Sequence, residues 1–577
     1  MTEKIKMEET KKLNDAPPEV QGDIMERILY EVGDMGRYQR LLFLSMMPFG
    51  LFIVFAYTVQ MFIAATPQEH WCKVPELQHL DIELRRNLSI PGAMDGPDWD
   101  RCQVYEANWT EVLQTMAPPV NASTAPCRNG WEFLYNDIPY ATVVSERGWV
   151  CADSGIAPMA QTVFFMGSLL GCAFFGWMGD KYGRLPALIG SNLIGCFGGV
   201  LTVFTTGVWD FTIARFIVGI CNDSCSVMLY IIVIEYVGAR HRTWISNLSI
   251  AVYYGGGSLL LVALALWLLD WRNLILATSL PMLIVIATPW YVPESARWLA
   301  SKGKVNRAVN MLKKFEKVNK KKIPDELMAE FIVVASQKST VDESLRAVFA
   351  NAPLRNSLLV LIVVSMVSCL GIDAILRMSE SIGTNFFVTF TLSSASEVPA
   401  LILVTLVLDR WGRRSLICGT LAAAGVLALF TAFTRKGVMQ MILAVAMRFA
   451  LNMAVGAELQ LTAELLPTGA RASGNSLVHL TVYVAAMFSP TVVYSQRLWS
   501  PLPLLIVGML CLGAGGLCLL LPETKGKPMP QTIVEAERLI RDGALWKKKS
   551  RDTGQNEILN EEFRKMSASV TSINLLR

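Results

Sequence analysis

Residues 176–184 read GWMGDKYGR, and residues 408–416 read LDRWGRRSL. Each stretch is a short, charged connection between two long apolar runs, and an aspartate, a glycine and an arginine recur in both at the same spacing. These residues, with the glycine that opens the first stretch, are Gly176, Asp180, Gly183, Arg184, Asp409, Gly412 and Arg413. A repeat of this kind at matching places indicates an internal duplication.

The apolar runs decide the class of protein. Of the 577 residues, 53% are hydrophobic and 17% are charged, and the mean hydropathy is +0.39. A bilayer core about 30 Å thick takes about 20 helical residues, because a backbone in lipid must bond its own polar groups. The sequence therefore predicts an all-α membrane protein. Its twelve spans are predicted at residues 41–64, 156–178, 185–206, 209–234, 245–268, 272–292, 355–379, 384–408, 415–434, 437–463, 472–497 and 500–521.

Basic residues predict the orientation of these spans. Lysine and arginine collect in the connections 180–184, 238–242 and 409–414 and in the stretch 302–322, all on one side. Basic loops favour the cytosolic side of a membrane. We therefore expect both tails in the cytosol and the protein in the cell membrane.

The spans divide into two halves. The predicted organisation is a cytosolic N-terminal segment 1–40, a six-span half 41–292, a cytosolic linker 293–354, a second six-span half 355–521 and a cytosolic tail 522–577. In the linker, RWLASKGKVNRAVNMLKKF has apolar residues at helical spacing, which favours short helices at the inner membrane surface. A solvated linker is the alternative.

One connection on the opposite side is long, residues 65–155, and it holds four cysteines and three glycosylation sequons. This combination is expected of a folded loop in an oxidising compartment. We predict glycans on at least two of the sequon asparagines and two disulfides among the cysteines, whose three pairings the sequence leaves open. These residues are Asn87, Asn108, Asn121, Cys72, Cys102, Cys127 and Cys151.

The duplication has a known architectural meaning. Two six-helix halves related by an axis along the membrane normal form the architecture of major facilitator transporters, with a substrate site between the halves near the midplane. There, Asp180 and Asp409 suit a cytosolic gate, since they can accept charge-assisted hydrogen bonds across the interface while the glycines let helices approach closely. The alternative is that the motifs only obey the positive-inside pattern. Further gate charges are predicted near the cytosolic ends of spans 4, 10 and 11, at Glu235, Arg242, Arg448, Glu464 and Arg471.

Other motifs resemble one family of transporters. They are PQEHWCKVP at 67–75, GWVCADS at 148–154, IEYVGARHR at 234–242, SEVPALIL at 396–403, AELLPTGAR at 463–471 and LPETKGKPMPQTI at 521–533. In these motifs the chain resembles the organic cation, carnitine and organic anion transporters of solute carrier family 22. The resemblance runs from about residue 33 to residue 535 and implies transport by alternating access without ATP.

Departures from these relatives fall where the substrate is recognised. Relatives commonly have six cysteines in the outer loop, an aromatic residue at the position of Gly371, and a charged residue at the position of Tyr483. Where organic cation relatives carry a basic residue in span 4, this chain has Asp223. The resemblance therefore implies a substrate site that differs from that of a typical organic cation transporter.

Three carboxylates are predicted inside spans, where an ionisable group is costly and usually faces a cavity. Asp223 either attracts a cation or pairs with Arg215 or Arg377. Asp373 lies one helical turn before Arg377, which favours a simple ion pair. Glu397, by the resemblance, matches a carboxylate of cation and anion carriers alike, so it either contacts the cavity or serves helix packing and gating.

Aromatic residues complete the candidate site. Tyr230, Tyr253, Tyr254 and Tyr483 are candidate walls of a cavity, with packing as the alternative, and packing is the default for the lone histidines His70 and His479. A negative cavity predicts a secondary-active or facilitative carrier of small organic cations or zwitterions. The alternatives are an organic anion exchanger of the same family and a non-transporting, receptor-like relative. We expect no catalysis, cofactor, metal or nucleic-acid partner.

Overall fold

The computed structural model of the chain describes residues 24–543, apart from residue 34, 93–99, 120–121, most of 239–250, 337–344, 383–384, 528 and 531. Within these residues ten helical segments are long and apolar enough to cross a membrane, and two shorter apolar helices lie where spans 5 and 12 are predicted. Spans 1 to 12 are Arg37–Ile63, Cys151–Tyr182, Arg184–Val203, Val208–Tyr236, Val252–Leu268, Trp271–Tyr291, Ala352–Glu380, Phe386–Trp411, Arg413–Phe433, Val438–Leu465, Gly469–Arg497 and Leu502–Cys518. The predicted all-α membrane fold is confirmed.

Several spans are built from consecutive helical pieces. These pieces are Arg37–Ser45 and Met47–Ile63 in span 1, Val208–Cys221 and Ser224–Tyr236 in span 4, Trp271–Ser279, Leu280–Ala287 and Thr288–Tyr291 in span 6, Ala352–Arg377 and Met378–Glu380 in span 7, and Phe386–Ala395 and Glu397–Trp411 in span 8. Pro281, which lacks a backbone N–H, stands at the start of the 3₁₀ piece of span 6. The junction in span 4 falls at Asn222 and Asp223, so it places a carboxylate in mid-span.

Two large hydrophobic cores fill the described part of the chain, one centred on the first half and extending to spans 7, 8 and 11, and one in the second half. The first core includes Phe164 and Leu229, and the second includes Leu421 and Leu451, all fully buried. Between the halves, span 2 packs against span 11, and span 5 packs against span 8. We call the side of the membrane with both chain ends the inner side, and the side with the long loop the outer side.

The long outer loop between spans 1 and 2 folds around two small sheets. Strand β1 (Glu69–Cys72) pairs antiparallel with β4 (Trp131–Leu134), and β2 (Gln103–Tyr105) pairs antiparallel with β3 (Thr124–Pro126). Helices Ile82–Ser89, Trp109–Thr115 and Val143–Arg147 complete the loop. Disulfides join Cys72 with Cys127 and Cys102 with Cys151, which is one of the three pairings that the sequence allows.

The outer loop is anchored to the first half through Glu146. Both oxygens of this carboxylate accept hydrogen bonds from Arg272 at the start of span 6, at 2.7 Å each. These hydrogen bonds hold the pKa of the Glu146 carboxyl below its usual value. The Tyr140 hydroxyl donates to the carbonyl of Phe62 at 3.2 Å, so the loop also contacts the end of span 1.

Short helices cover the inner side. They are Ile24–Val32 before span 1, Ala296–Ser301, Val305–Asn319, Asp325–Ser336 and Leu345–Ala350 between the halves, and Ile533–Gly543 after span 12. The first helix is tied to the linker by the ion pairs Arg297–Glu26 at 2.6 Å and Arg27–Glu330 at 2.9 Å. Phe315 of the linker packs against rings of spans 1 and 4. The linker helices therefore pack on the first half.

The halves close against each other on the outer side. Phe62 of span 1 packs against Phe386, Phe387 and Phe390 of span 8, with ring centroids 5.2, 6.0 and 4.8 Å away. These aromatic contacts close the interface on the outer side.

Candidate functional site

Asp223 lies at the interface between the halves, with a side chain only 5% exposed. Its Oδ1 accepts a hydrogen bond from the Tyr483 hydroxyl at 2.8 Å and lies 3.0 Å from His479 Nε2. Both partners belong to span 11, four residues apart, so one face of that helix presents them together. The structure thus joins a carboxylate of the first half to two polar groups of the second.

The arginines considered as partners of Asp223 do not reach it. Arg215 is buried in the first half, where it donates to Thr202 Oγ1 at 2.8 Å, and Arg377 pairs with Asp373. Sequence reasoning treated His479 as a packing residue, whereas its side chain contacts Asp223 and is 47% exposed. The signal that could have found it is its place one turn before Tyr483.

Asp373 forms a second contact between the halves. Its carboxylate is fully buried and accepts hydrogen bonds from Arg377, one turn later in span 7, at 2.5 and 3.0 Å. The hydroxyl of Tyr57 in span 1 also donates to Asp373. Because Arg377 neutralises the carboxylate, as the spacing favoured, this contact adds no net charge to the interface.

Glu397 has a cationic neighbour as well. Arg448 Nη2 lies 3.7 Å from a Glu397 oxygen, and the same guanidinium donates to the carbonyls of Ile372 and Ser393 at 2.9 and 3.1 Å. Arg448 therefore ties spans 7, 8 and 10 together near the middle of span 10. The prediction that Arg448 belongs to the gate charges near the inner ends of the spans was wrong. An apolar run shows where a span lies, but it does not show which residues the charged side chains of that span contact.

The candidate tyrosines divide between the interface and the core. Tyr254 of span 5 lies close enough to Asp223 to interact with its charge. Tyr253 is buried, and its ring fills the space above Gly50 of span 1. Its hydroxyl donates a hydrogen bond to a span 1 carbonyl at 3.3 Å. The prediction that Tyr253 forms a cavity wall was therefore wrong. Tyr230 is half-buried in span 4.

On the inner side, a glutamate follows the sixth span of each half and closes the repeated motif. Glu294 accepts hydrogen bonds from the first two N–H groups of span 3 at 3.1 Å each, and Glu523 accepts those of span 9 at 2.9 and 3.2 Å. The first bond in each half joins residues 110 apart in sequence. Carboxylates stabilise helix N-termini, where N–H groups lack intrahelical partners. Sequence reasoning assigned no role to either glutamate.

The motif glycines have different roles. Gly183 and Gly412 have φ angles of +124° and +86°, which disfavour any residue with a side chain, and a Cβ there would collide with the capping glutamates Glu294 and Glu523. Around Gly176, no described atom lies within 4 Å of an added Cβ. The predicted role of Gly176 in a close helix approach was therefore wrong.

The motif aspartates each contact an arginine of their own half. Arg184 binds Asp180 at 2.6 Å and Arg413 binds Asp409 at 3.1 Å, and the two aspartate side chains are 75% and 80% exposed. Neither aspartate has an ion pair with the opposite half among the described residues. Their role as a lock stays a prediction for the opposite state.

The other predicted gate charges also stay within one half. Glu464 accepts hydrogen bonds from Arg413 at 2.9 Å and from a threonine hydroxyl after span 12 at 2.6 Å. Glu235 accepts one from the equivalent serine after span 6. Arg471 donates to backbone carbonyls of the second half. Arg242 lies outside the described residues.

Sequence reasoning missed a fourth carboxylate inside a span. Glu458 of span 10 is 3% exposed and accepts a hydrogen bond from Ser368 of span 7 at 2.6 Å. No cationic side chain lies within 4 Å of it among the described residues. No group of three or more His, Cys, Asp or Glu that could hold a metal ion is found in the described part of the chain.

Comparison with known proteins finds a family for most of the chain. Residues 140–533 match the family described as "Sugar (and other) transporter". The "Organic cation transporter protein" of Drosophila melanogaster is 31% identical over 88% of this chain and 94% of its own length. "Solute carrier family 22 member 2" of Homo sapiens is 28% identical over 90% and 96%, and the "Beta-alanine transporter" of Drosophila melanogaster is 28% identical over 89% and 89%.

Solved structures share the fold. The partially occluded inward-open form of the xylose transporter XylE from E. coli matches 85% of this chain and 99% of its own chain, with a TM-score of 0.57 and 18% identity. The inward-open form of the same transporter matches 86% and 99%, with a TM-score of 0.56 and 16% identity. The chain therefore has the major facilitator fold.

Proposed function

We propose a substrate class and a mechanism for this chain, which belongs to the sugar (and other) transporter family and, within it, to the organic cation transporters of solute carrier family 22. It carries small organic cations or zwitterions, carnitine-like or amine compounds, across the plasma membrane by rocker-switch alternating access. Transport is secondary-active or facilitative.

The charge balance at the interface carries this proposal. Arg377 offsets Asp373 and Arg448 offsets Glu397, whereas Asp223 faces a phenol and an imidazole of span 11. A carboxylate in a low-dielectric cavity without a fixed counter-charge attracts a cation and repels an anion. The site therefore favours a substrate with a positive group over an organic anion of the same shape.

The neighbours of Asp223 suit an ammonium group. Tyr483 lies in contact with the carboxylate and Tyr254 lies near it, and aromatic faces hold ammonium groups by cation–π attraction. An amine that carries a carboxylate can place its positive end at Asp223 and its negative end elsewhere. The names of the relatives, an organic cation transporter and a beta-alanine transporter, agree with both substrate types.

Alternating access follows from the two faces of the interface. The aromatic contacts of Phe62 close the outer side, while on the inner side Asp180 and Asp409 stay with arginines of their own halves. When the two halves rock about the region around Asp223, the Phe62 contacts on the outer side separate. On the inner side, Asp180 and Asp409 can then bind partners across the interface. This cycle exposes Asp223 to each side in turn.

Uptake by cells that produce the chain tests the substrate class. Labelled tetraethylammonium, β-alanine and p-aminohippurate represent a cation, a zwitterion and an anion. We expect uptake of the first or second and not of the third. Asp223→Asn should raise the Michaelis constant for β-alanine about tenfold to hundredfold at unchanged surface level, because hydrogen bonds between an ammonium and a carboxylate contribute about 1.5–3 kcal/mol.

Asp325→Asn is the matched control, since Asp325 is an exposed linker aspartate that should tolerate the same chemical change. Uptake of p-aminohippurate alone would contradict the proposed substrate class and favour an organic anion exchanger. Binding of cations without any uptake would favour the receptor-like alternative.

The membrane orientation is part of the proposal. Both tails and the linker face the cytosol, and the disulfide-bonded loop faces the cell exterior with glycans on at least two of Asn87, Asn108 and Asn121. Asn108 is exposed at the start of a helix, where its Oδ1 accepts a hydrogen bond from Thr110 N at 3.2 Å, and a glycan on Nδ2 leaves that bond intact. Asn121 lies outside the described residues. Glycosidase treatment should increase gel mobility.

A further inference from the structure

We propose that the transporter exchanges protons for cations, with the His479 imidazole as the proton carrier. The proposal rests on the proposed function, in which Asp223 binds the positive group of the substrate. His479 Nε2 lies 3.0 Å from Asp223 Oδ1, the oxygen that also accepts the Tyr483 hydroxyl. When no substrate is bound, a protonated His479 side chain supplies the positive charge that pairs with Asp223.

The exposure of the two side chains separates their roles. The Asp223 side chain is 5% exposed and the His479 side chain is 47% exposed, although both lie in mid-span. A proton on the imidazole is therefore accessible from outside the pair, whereas the carboxylate meets only what enters the interface. His479 provides both the contact and the exit that proton exchange needs.

The other groups around Asp223 leave His479 as the titrating member of the cluster. They are Cys172 of span 2, Tyr254 of span 5 and Tyr483 of span 11. Thiols and phenols ordinarily titrate above neutral pH, and imidazole titrates close to it. Cys225, two residues after Asp223 in span 4, is a further thiol near it. Among the described residues this cluster contains no lysine or arginine.

The exchange keeps the charge of the interface constant. With no substrate, protonated His479 and ionised Asp223 form a neutral pair. When a cation binds Asp223, the imidazolium is repelled, its Nε2–H bond breaks and the proton passes to water. When the cation leaves, His479 takes up a proton from water. One positive charge thus replaces another, which avoids an uncompensated carboxylate in a low-dielectric site.

Accumulation in vesicles tests the coupling. The full chain is reconstituted in liposomes whose interior is one pH unit more acidic than the exterior, with the membrane potential held at zero by potassium and valinomycin. The probe is tetraethylammonium, which has no proton to lose. One-for-one exchange predicts about tenfold accumulation, since one pH unit corresponds to a factor of ten in proton activity.

His479→Gln keeps a hydrogen-bonding side chain near Asp223 and cannot carry a proton. Its accumulation ratio should fall to one, whatever the rate of uptake. His79→Gln changes an exposed histidine of the outer loop and should keep the tenfold ratio.

The wild-type ratio alone decides whether coupling exists. A ratio of one despite clear uptake would overturn the proton exchange and leave the proposed function standing. Tenfold accumulation by His479→Gln would overturn the assignment of the proton to His479 and point instead to a carboxyl group such as that of Glu458. Absence of both tetraethylammonium and β-alanine uptake at normal protein levels would contradict the proposed function itself.

Discussion

In the first half, Arg184 forms an ion pair with Asp180 at 2.6 Å, whereas in the second half Arg413 binds both Asp409 at 3.1 Å and Glu464 at 2.9 Å. The capping glutamates after the sixth spans, in contrast, have the same geometry and the same sequence separation in both halves. The duplication has kept the contacts that fix helix ends and has changed the ion pairs around them. The two halves thus share their helix caps and differ in the contacts of their motif arginines.

A second difference lies deeper in the membrane. Counted from Asp180 and Asp409, the residues Asp223 and Asn452 stand at the same position of their halves, and both are buried, at 4% and 6% exposure. One is a carboxylate and the other an amide. The repeated scaffold therefore has a carboxylate at this position in the first half only, which favours one orientation of a polar substrate.

The largest effect should follow removal of a cap. Glu294→Ala and Glu523→Ala each leave two helix N–H groups without their carboxylate, and we expect each to cost about 3 kcal/mol or more. Because the two caps have equal geometry, the thermal unfolding midpoints of the purified variants should fall by similar amounts. A large loss for one variant and none for the other would break the equivalence of the halves.

A smaller and unequal effect is expected at the arginines. Lysine cannot reproduce the forked contact of a guanidinium. Arg413→Lys weakens contacts with two carboxylates, one of them the largely buried Glu464, and should cost about 2 kcal/mol. Arg184→Lys affects an ion pair with the 75% exposed Asp180 and should cost less than about 1 kcal/mol. If both variants lost the same amount in unfolding midpoint, the extra contact of Arg413 with Glu464 would not contribute to stability.

The smallest effect on stability is expected at the motif aspartates. Asp180→Asn and Asp409→Asn remove exposed charges, so each should change the free energy of unfolding by about 0–1 kcal/mol. Transport should still fall, because the outward-facing state loses the contacts that hold its inner side shut. Uptake at the original rate by both variants, at equal surface level, would remove these aspartates from the gate.

Local patterns explain what the sequence could predict. The twelve spans depend on runs of apolar residues, and the pair of Asp373 and Arg377 depends on a spacing of one helical turn. The partners of Asp223 lie 256 and 260 residues away and meet it only after the halves pack. No spacing along the chain encodes that contact, so Asp223 was predicted as a site and His479 was not.

The errors have the same physical cause. Arg448 was assigned to the inner gate because its span was known and its neighbours were not, and Tyr253 was assigned to a cavity although it packs on Gly50. Glu294 and Glu523 lie beyond the spans they cap, so only the folded half shows what they bind. Which charged and aromatic residues fall inside spans can be predicted from such a sequence, whereas their partners across helices require the structure.

Ligand-induced stabilisation of the purified chain tests recognition by Asp223 most directly. A ligand that binds only the folded state raises the unfolding midpoint, and the rise grows with the ratio of the ligand concentration to its dissociation constant. The midpoint of the unmodified chain should rise with tetraethylammonium and not with p-aminohippurate, and Asp223→Lys should abolish the rise with tetraethylammonium. Asn452→Lys is the control, because it adds the same positive charge at the equivalent position of the other half and leaves Asp223 in place. This variant should retain part of the rise in midpoint. Stabilisation of the unmodified chain by p-aminohippurate only, or full stabilisation of Asp223→Lys by tetraethylammonium, would contradict the recognition of a cation by Asp223.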